Sequence, residues 1–148
     1  MKKFMIAILM AFCAVVCDGK TVRKVMVSDQ LLDALAQVES NNDSTKVGKL
    51  GELGILQIRD CVIKDVNRIY KTKYVLEDAK DNTKAKDICR KYLTHWGRHY
   101  EIKTGMKADN KVLSKIWNGG PTGPFKKTSY VIANLDRYWS KVQKELIG

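Results

Sequence analysis

The chain has only two prolines, Pro121 and Pro124, and both fall in one short stretch, Gly119-Gly120-Pro121-Thr122-Gly123-Pro124. Elsewhere no ring removes a backbone donor or clashes with a preceding turn, so helices are free to run. Histidine is as scarce. His95 and His99 have no cysteine at ligand spacing, which argues against a metal site, and neither a metal nor an organic cofactor is expected. Long apolar runs are missing as well. After residue 16 no segment is apolar enough to cross a bilayer, so stable membrane insertion of the mature chain is not expected. There is no repeat, no low-complexity segment and no linker. The length of 148 residues supports one compact domain with a real core.

What is present begins with a leader-like segment. Lys2 and Lys3 precede an apolar stretch, Phe4 to Val16, and the chain turns polar at Asp18-Gly19. The stretch is too short for a comfortable span, and the pattern predicts a secretory signal over residues 1–19 and a mature domain over residues 20–148. The expected location is therefore secreted, periplasmic or extracellular. Lipid anchoring at Cys17 is the alternative, which the bulky Val16 before it fits poorly.

Of the four cysteines, Cys13 and Cys17 lie in or at the edge of the leader. Cys61 and Cys89 remain, an even pair in a chain expected to be exported. That count predicts a disulfide stapling two helices, with two buried free thiols as the alternative. Lysine and arginine number 27 against 16 acidic residues, a net charge of +11. Such a surplus attracts polyanions. The basic residues are dispersed and carry no nucleic-acid motif, so an exported chain of this charge points to cell-wall glycan and not to nucleic acid.

Hydrophobic periodicity predicts a mostly α chain of about five helices. Ser28 is a good N-cap, and Leu31, Leu32, Leu35, Ala36 and Val38 follow at helical spacing, giving a helix over 29–40 that ends at Asn41-Asn42. Residues 41–54 are glycine-rich loop. A second helix starts between Ile58 and Cys61 and buries Val62, Ile63, Val66, Ile69 and Tyr70. A third covers 83–100 on a stripe of Ile88, Cys89, Tyr92, Leu93, Trp96 and Tyr100. The fourth runs from Asp109 to Trp117 before the glycine–proline turn. The last spans 128–146 with Tyr130, Val131, Leu135, Tyr138, Trp139 and Val142 as its apolar side.

Three blocks occur in order along these elements. Ala34-Leu35-Ala36-Gln37-Val38-Glu39-Ser40 is a helix closing on Glu-Ser; Gly51-Glu52-Leu53-Gly54-Ile55-Leu56-Gln57-Ile58 holds a Gly-x-x-Gln segment; Ile116-Trp117-Asn118-Gly119-Gly120-Pro121 is similar to a Tyr-Asn-Gly-Gly-Pro turn. Together they resemble the lysozyme-like fold of soluble lytic transglycosylases and goose-type lysozymes, over roughly residues 30–142. The resemblance implies a single helical domain around a substrate groove. It also implies an enzyme that cuts the β-1,4 bond between N-acetylmuramic acid and N-acetylglucosamine in peptidoglycan, acting as a monomer on glycan strands.

By that resemblance Glu39 is the catalytic acid, a role that suits a carboxyl group kept protonated against apolar walls. Ser40, Gly54, Gln57 and Asn118 fall at positions implied to bind substrate or shape the groove. A tyrosine of the last helix is implied to bond near the catalytic glutamate. Two positions compete for it, and Tyr138 is preferred over Tyr130 because Val142 keeps the spacing of the block. Glu52 is the candidate second carboxylate, since glycosidases generally use two, but the favoured reading is an ordinary solvent-facing acid of the loop. Enzymes that let the substrate's own acetamido group attack need only one. Two readings from other classes stand beside this one: a non-catalytic glycan-binding module, and a cationic membrane-active protein.

Overall fold

The structure is a computed structural model that describes residues 25–148. The expected leader, with Cys13 and Cys17, lies outside the described residues. Five helices follow one another: α1 (Asp29–Ser40), α2 (Asp60–Tyr70), α3 (Asn82–Thr104), α4 (Asn110–Gly119) and α5 (Ser129–Ile147). Two short 3-10 turns, Leu76–Lys80 and Gly123–Phe125, join α2 to α3 and α4 to α5. The mostly helical architecture is as the periodicity predicts.

Each boundary has a local cause. The Ser28 hydroxyl accepts the Leu31 amide at 3.1 Å and caps α1. At its other end Asn41 and Asn42 both take left-handed backbone, and their amides return to Gln37 and Ala36 carbonyls. Asp81 caps α3 and Asp109 caps α4 through their carboxylates. α3 continues past Tyr100 to Thr104, because nothing before Gly105 interrupts its hydrogen bonding. The loop expected over residues 41–54, with room for a short extended turn, carries two isolated antiparallel bridges, Val47–Leu53 and Leu53–Ile58.

A single apolar cluster holds these pieces together. Leu31, Leu32 and Leu35 of α1, Ile55, Leu56 and Ile58 of the loop, Ile88 and Leu93 of α3, and Leu113 and Ile116 of α4 are almost wholly buried. α1 packs on α5 and α3, α4 on α5 and α3, and α2 on α3. Burying large aliphatic side chains stabilises by about 1.5–3 kcal/mol each, which is the main source of the fold's stability. On α2 only Ile63 and Val66 are buried; Tyr70, expected inside, is 37% exposed and hydrogen-bonds the Lys91 carbonyl at 2.9 Å. Among the described residues no helix is long and apolar enough to cross a membrane.

The expected disulfide between Cys61 and Cys89 is not formed. Cys61 and Cys89 are both free thiols. Cys61 sits on the first turn of α2 and is exposed, while Cys89 is wholly buried in the α3 core face. A disulfide needs side chains that point at each other, and the even count carried no information on direction.

Candidate active site

The site begins where α1 ends. The left-handed Asn41-Asn42 pair swings the chain away, so the last turn of α1 looks onto open space with Glu39 partly buried at its edge. Ser40 turns the other way. Its buried hydroxyl donates to the Ile55 carbonyl at 2.8 Å, with the Ala36 carbonyl at 3.2 Å, and accepts the Asp43 amide at 3.1 Å. Ser40 therefore ties α1 to the loop and does not face the groove.

The loop forms one side of that groove. Gly54 has φ +73°, and a Cβ there would lie 1.8 Å from the Ala79 carbonyl oxygen, so on that side its backbone packs against the 3-10 turn. Gln57 holds left-handed backbone at φ +48°, which disfavours most side chains. Its Nε2 donates to the Gly54 carbonyl at 2.9 Å and the Lys46 carbonyl at 3.2 Å. Both amide hydrogens are thus used by backbone, and Oε1 is left as the acceptor. Glu52 is nearly buried; its Oε1 lies 2.9 Å from Arg59 Nη2 and its Oε2 accepts the Leu50 amide at 2.9 Å. Gly48 backs onto the Glu52 and Gln57 side chains, where a Cβ would come within 2.3 Å of Glu52 Oε2 and 2.8 Å of Gln57 Oε1.

The end of α4 contributes Trp117, Asn118, Gly119 and Gly120. Asn118 is exposed, and Gly120 takes φ +74°, ψ −175°, a backbone conformation essentially restricted to glycine, to start the turn toward α5. Tyr92 of α3 meets Trp117 edge-on at 5.8 Å between ring centres. Glu39, Glu52, Gln57, Trp117 and Asn118 together with Gly120 line one groove of about 690 Å³. The three sequence blocks therefore converge on a single cleft.

Beneath it, Tyr138 of α5 donates its hydroxyl to Glu39 Oε1 at 2.7 Å, across 99 residues of sequence. Tyr130, the competing position, is 76% exposed. Burial raises the Glu39 pKa above the ordinary glutamate value. The Tyr138 hydrogen bond and the Lys46 and Arg59 charges pull it back in part, and the Glu52 charge pushes it up again. The α1 carbonyl end acts in the same upward direction. Glu52 moves oppositely: backbone amides, chiefly its own and that of Leu50, hold its carboxyl below the ordinary range, and Arg59 adds to this. Tyr138 itself is pushed well up by burial and by Glu39, so it stays a donor.

Lys46, Lys49, Arg59, Cys61, Val62 and Tyr92 also line the groove and were not anticipated. Lys46, Lys49 and Arg59 lie in a loop without periodicity, so no spacing signal marks them; Tyr92 and Val62 read simply as core. His95 and His99 flank Trp96 edge-on, at 4.8 and 5.6 Å between ring centres, away from the groove. Among the described residues no group of three or more His, Cys, Asp or Glu could hold a metal ion.

The Transglycosylase SLT domain matches residues 17–108, well over half of the chain. The chain belongs to the transglycosylase SLT domain family. Members are lytic transglycosylases, so the protein is at family level a glycosidase-type enzyme with peptidoglycan as its substrate class. No curated protein matches the chain. The domain match ends before Trp117 and Tyr138, and those two residues join the site through the folded geometry.

Proposed function

We propose that this SLT-family chain is an exported enzyme that cuts the β-1,4 bond between N-acetylmuramic acid and N-acetylglucosamine, with Glu39 as its general acid and base. The observation that carries the reading is the Glu39–Tyr138 pair at the groove wall, a carboxyl group whose burial favours the protonated form. Glu39 gives its proton to the bridging oxygen as the C1–O bond breaks. The acetamido carbonyl of the muramic sugar closes onto C1 and takes up the developing positive charge. Glu39, now a carboxylate, removes the proton from the sugar's own C6 hydroxyl as that oxygen attacks C1 and the C1–O bond to the acetamido group breaks, restoring the amide. The products are a 1,6-anhydro-muramic end and a free glucosamine 4-hydroxyl.

Within this scheme Tyr138 steadies the carboxylate that forms after proton transfer. Gln57 Oε1 accepts an acetamido N–H from a bound aminosugar, and Asn118 bonds the strand from the α4 side. Gly54 and Ser40 hold the loop in place. Glu52, ionised and engaged by Arg59, fixes the loop electrostatically and is not the nucleophile. Positioning and proton transfer carry the barrier reduction, with no cofactor.

The test is mass spectrometry of digested peptidoglycan beside the Glu39→Gln chain. Anhydro-muropeptides from the unsubstituted chain, and a rate at least about a hundredfold lower for Glu39→Gln, are expected. Reducing ends would show that water finishes the reaction. Near-native turnover by Glu39→Gln would refute the mechanism, and binding without any released muropeptide would make the chain a glycan-binding module. Lysis of cells by both chains alike would indicate membrane activity.

A further inference from the structure

The groove holds more positive charge than cleavage of a neutral aminosugar chain requires. Five ionisable side chains other than Cys61 and Tyr92 line it: Glu39, Lys46, Glu52, Lys49 and Arg59. Arg59 and Glu52 cancel through their ion pair. Burial of Glu39 disfavours its charged form. Lys46 donates to the Glu39 backbone carbonyl, a neutral acceptor, and among the described residues Lys49 has no carboxylate partner. Both lysines are exposed, three positions apart on the loop side of the cleft. Lys46 also feels the nearby Asp43 carboxylate, so Lys49 carries most of the surplus charge at the rim, and such a surplus beside a polysaccharide groove attracts an anion carried by the polysaccharide.

We propose that Lys46 and Lys49 form a rim that reads carboxylates on the peptides attached to the muramic sugar, selecting acidic glycan strands over neutral ones. The inference rests on the peptidoglycan reading above and names the part of the substrate that the groove recognises. Glycan strands carry anions of two kinds, peptide carboxylates and the phosphodiesters of attached wall polymers. The muramic sugar at the scissile bond bears the peptide itself, so carboxylates accompany every turnover. Lys46 also touches the Glu39 backbone and lowers the Glu39 pKa through its charge, so Lys49 is the cleaner probe.

Binding is read without turnover by co-sedimenting full-length Glu39→Gln chain with insoluble peptidoglycan in three forms. One is intact, one is stripped of phosphodiester polymers by hydrofluoric acid, and one is stripped and then amidated at its carboxylates. Lys49→Gln is added to that background. Lys144→Gln, in the last turn of α5 and outside the groove, removes the same charge as a control. At physiological salt Lys49→Gln weakens binding to stripped material about three- to fivefold, the scale of one exposed ion pair. It has no effect on amidated material, and Lys144→Gln changes neither. An equal loss on amidated material, an equal loss from Lys144→Gln, or a loss seen only when phosphodiesters are present overturns the proposal. Muropeptide release by the unsubstituted chain is followed on the same materials. Absent release with Lys49-dependent binding retained would refute the catalytic reading and leave the rim standing.

Discussion

Two carboxylates line the same groove and are held in opposite states. Glu39, at the end of α1, is walled by packed helix and meets one hydroxyl, and burial raises its pKa. Glu52, on the loop, is met by backbone amides and a guanidinium that lower it. The difference lies in what each element offers. A helix C-terminus has no free N–H groups to give a carboxylate, whereas a tight loop supplies them. Two acids whose surroundings drive their protonation apart take different roles, one as proton donor and one as fixed charge.

Substitutions test the contrast. Glu39→Gln has the largest expected effect, the loss of at least about a hundredfold in rate given above. Tyr138→Phe comes next, with a loss of about tenfold, comparable to one hydrogen bond to a charged group. That hydrogen bond lowers the Glu39 pKa, so its removal shifts the basic limb of the pH–rate profile upward. Glu52→Gln is expected to cost only about threefold in kcat/KM, on the scale of one exposed charge interaction. It removes a charge that raises the Glu39 pKa and frees Arg59, which lowers it, so the basic limb moves downward. Opposite shifts from the two substitutions, read from profiles of kcat/KM between pH 4 and 9, check the assignment.

The smallest expected effect is on stability. A carboxyl group with a raised folded-state pKa binds more protons in the native chain than in the unfolded one, from about the model-peptide value upward. Stability therefore falls as pH rises through that window. Glu39→Gln removes the penalty, and thermal unfolding is expected to show a Tm a few degrees higher than the unsubstituted chain at pH 7 and no gain at pH 4. A lower Tm at pH 7 would mean that the ionised carboxylate stabilises the fold.

How much of this was legible in the sequence follows from which cues are local. α1 is marked by its Ser28 cap, its apolar spacing and its Asn41-Asn42 stop, and the structure places it at Asp29–Ser40. The choice between Tyr130 and Tyr138 was harder. Periodicity assigns both to the apolar side of α5, yet Tyr130 is exposed, and only packing of α5 on α1 fixes which hydroxyl reaches Glu39. Ser40 and Gly54 belong to conspicuous motifs, but whether such a residue faces ligand or backbone depends on a contact 15 or more residues away, at Ile55 and Ala79 respectively. The cysteine count had parity without direction. The charged rim had no pattern at all, because Lys46, Lys49 and Arg59 gather only when the loop folds back through its two bridges.

Carboxyl-carbon NMR titration of selectively labelled chain reads both groove acids directly, with Glu39→Gln and Glu52→Gln to assign the signals. Glu39 is expected to titrate above the ordinary glutamate range and Glu52 below it. Glu39 titrating at or below the ordinary value would contradict the protonated acid on which the proposed chemistry depends.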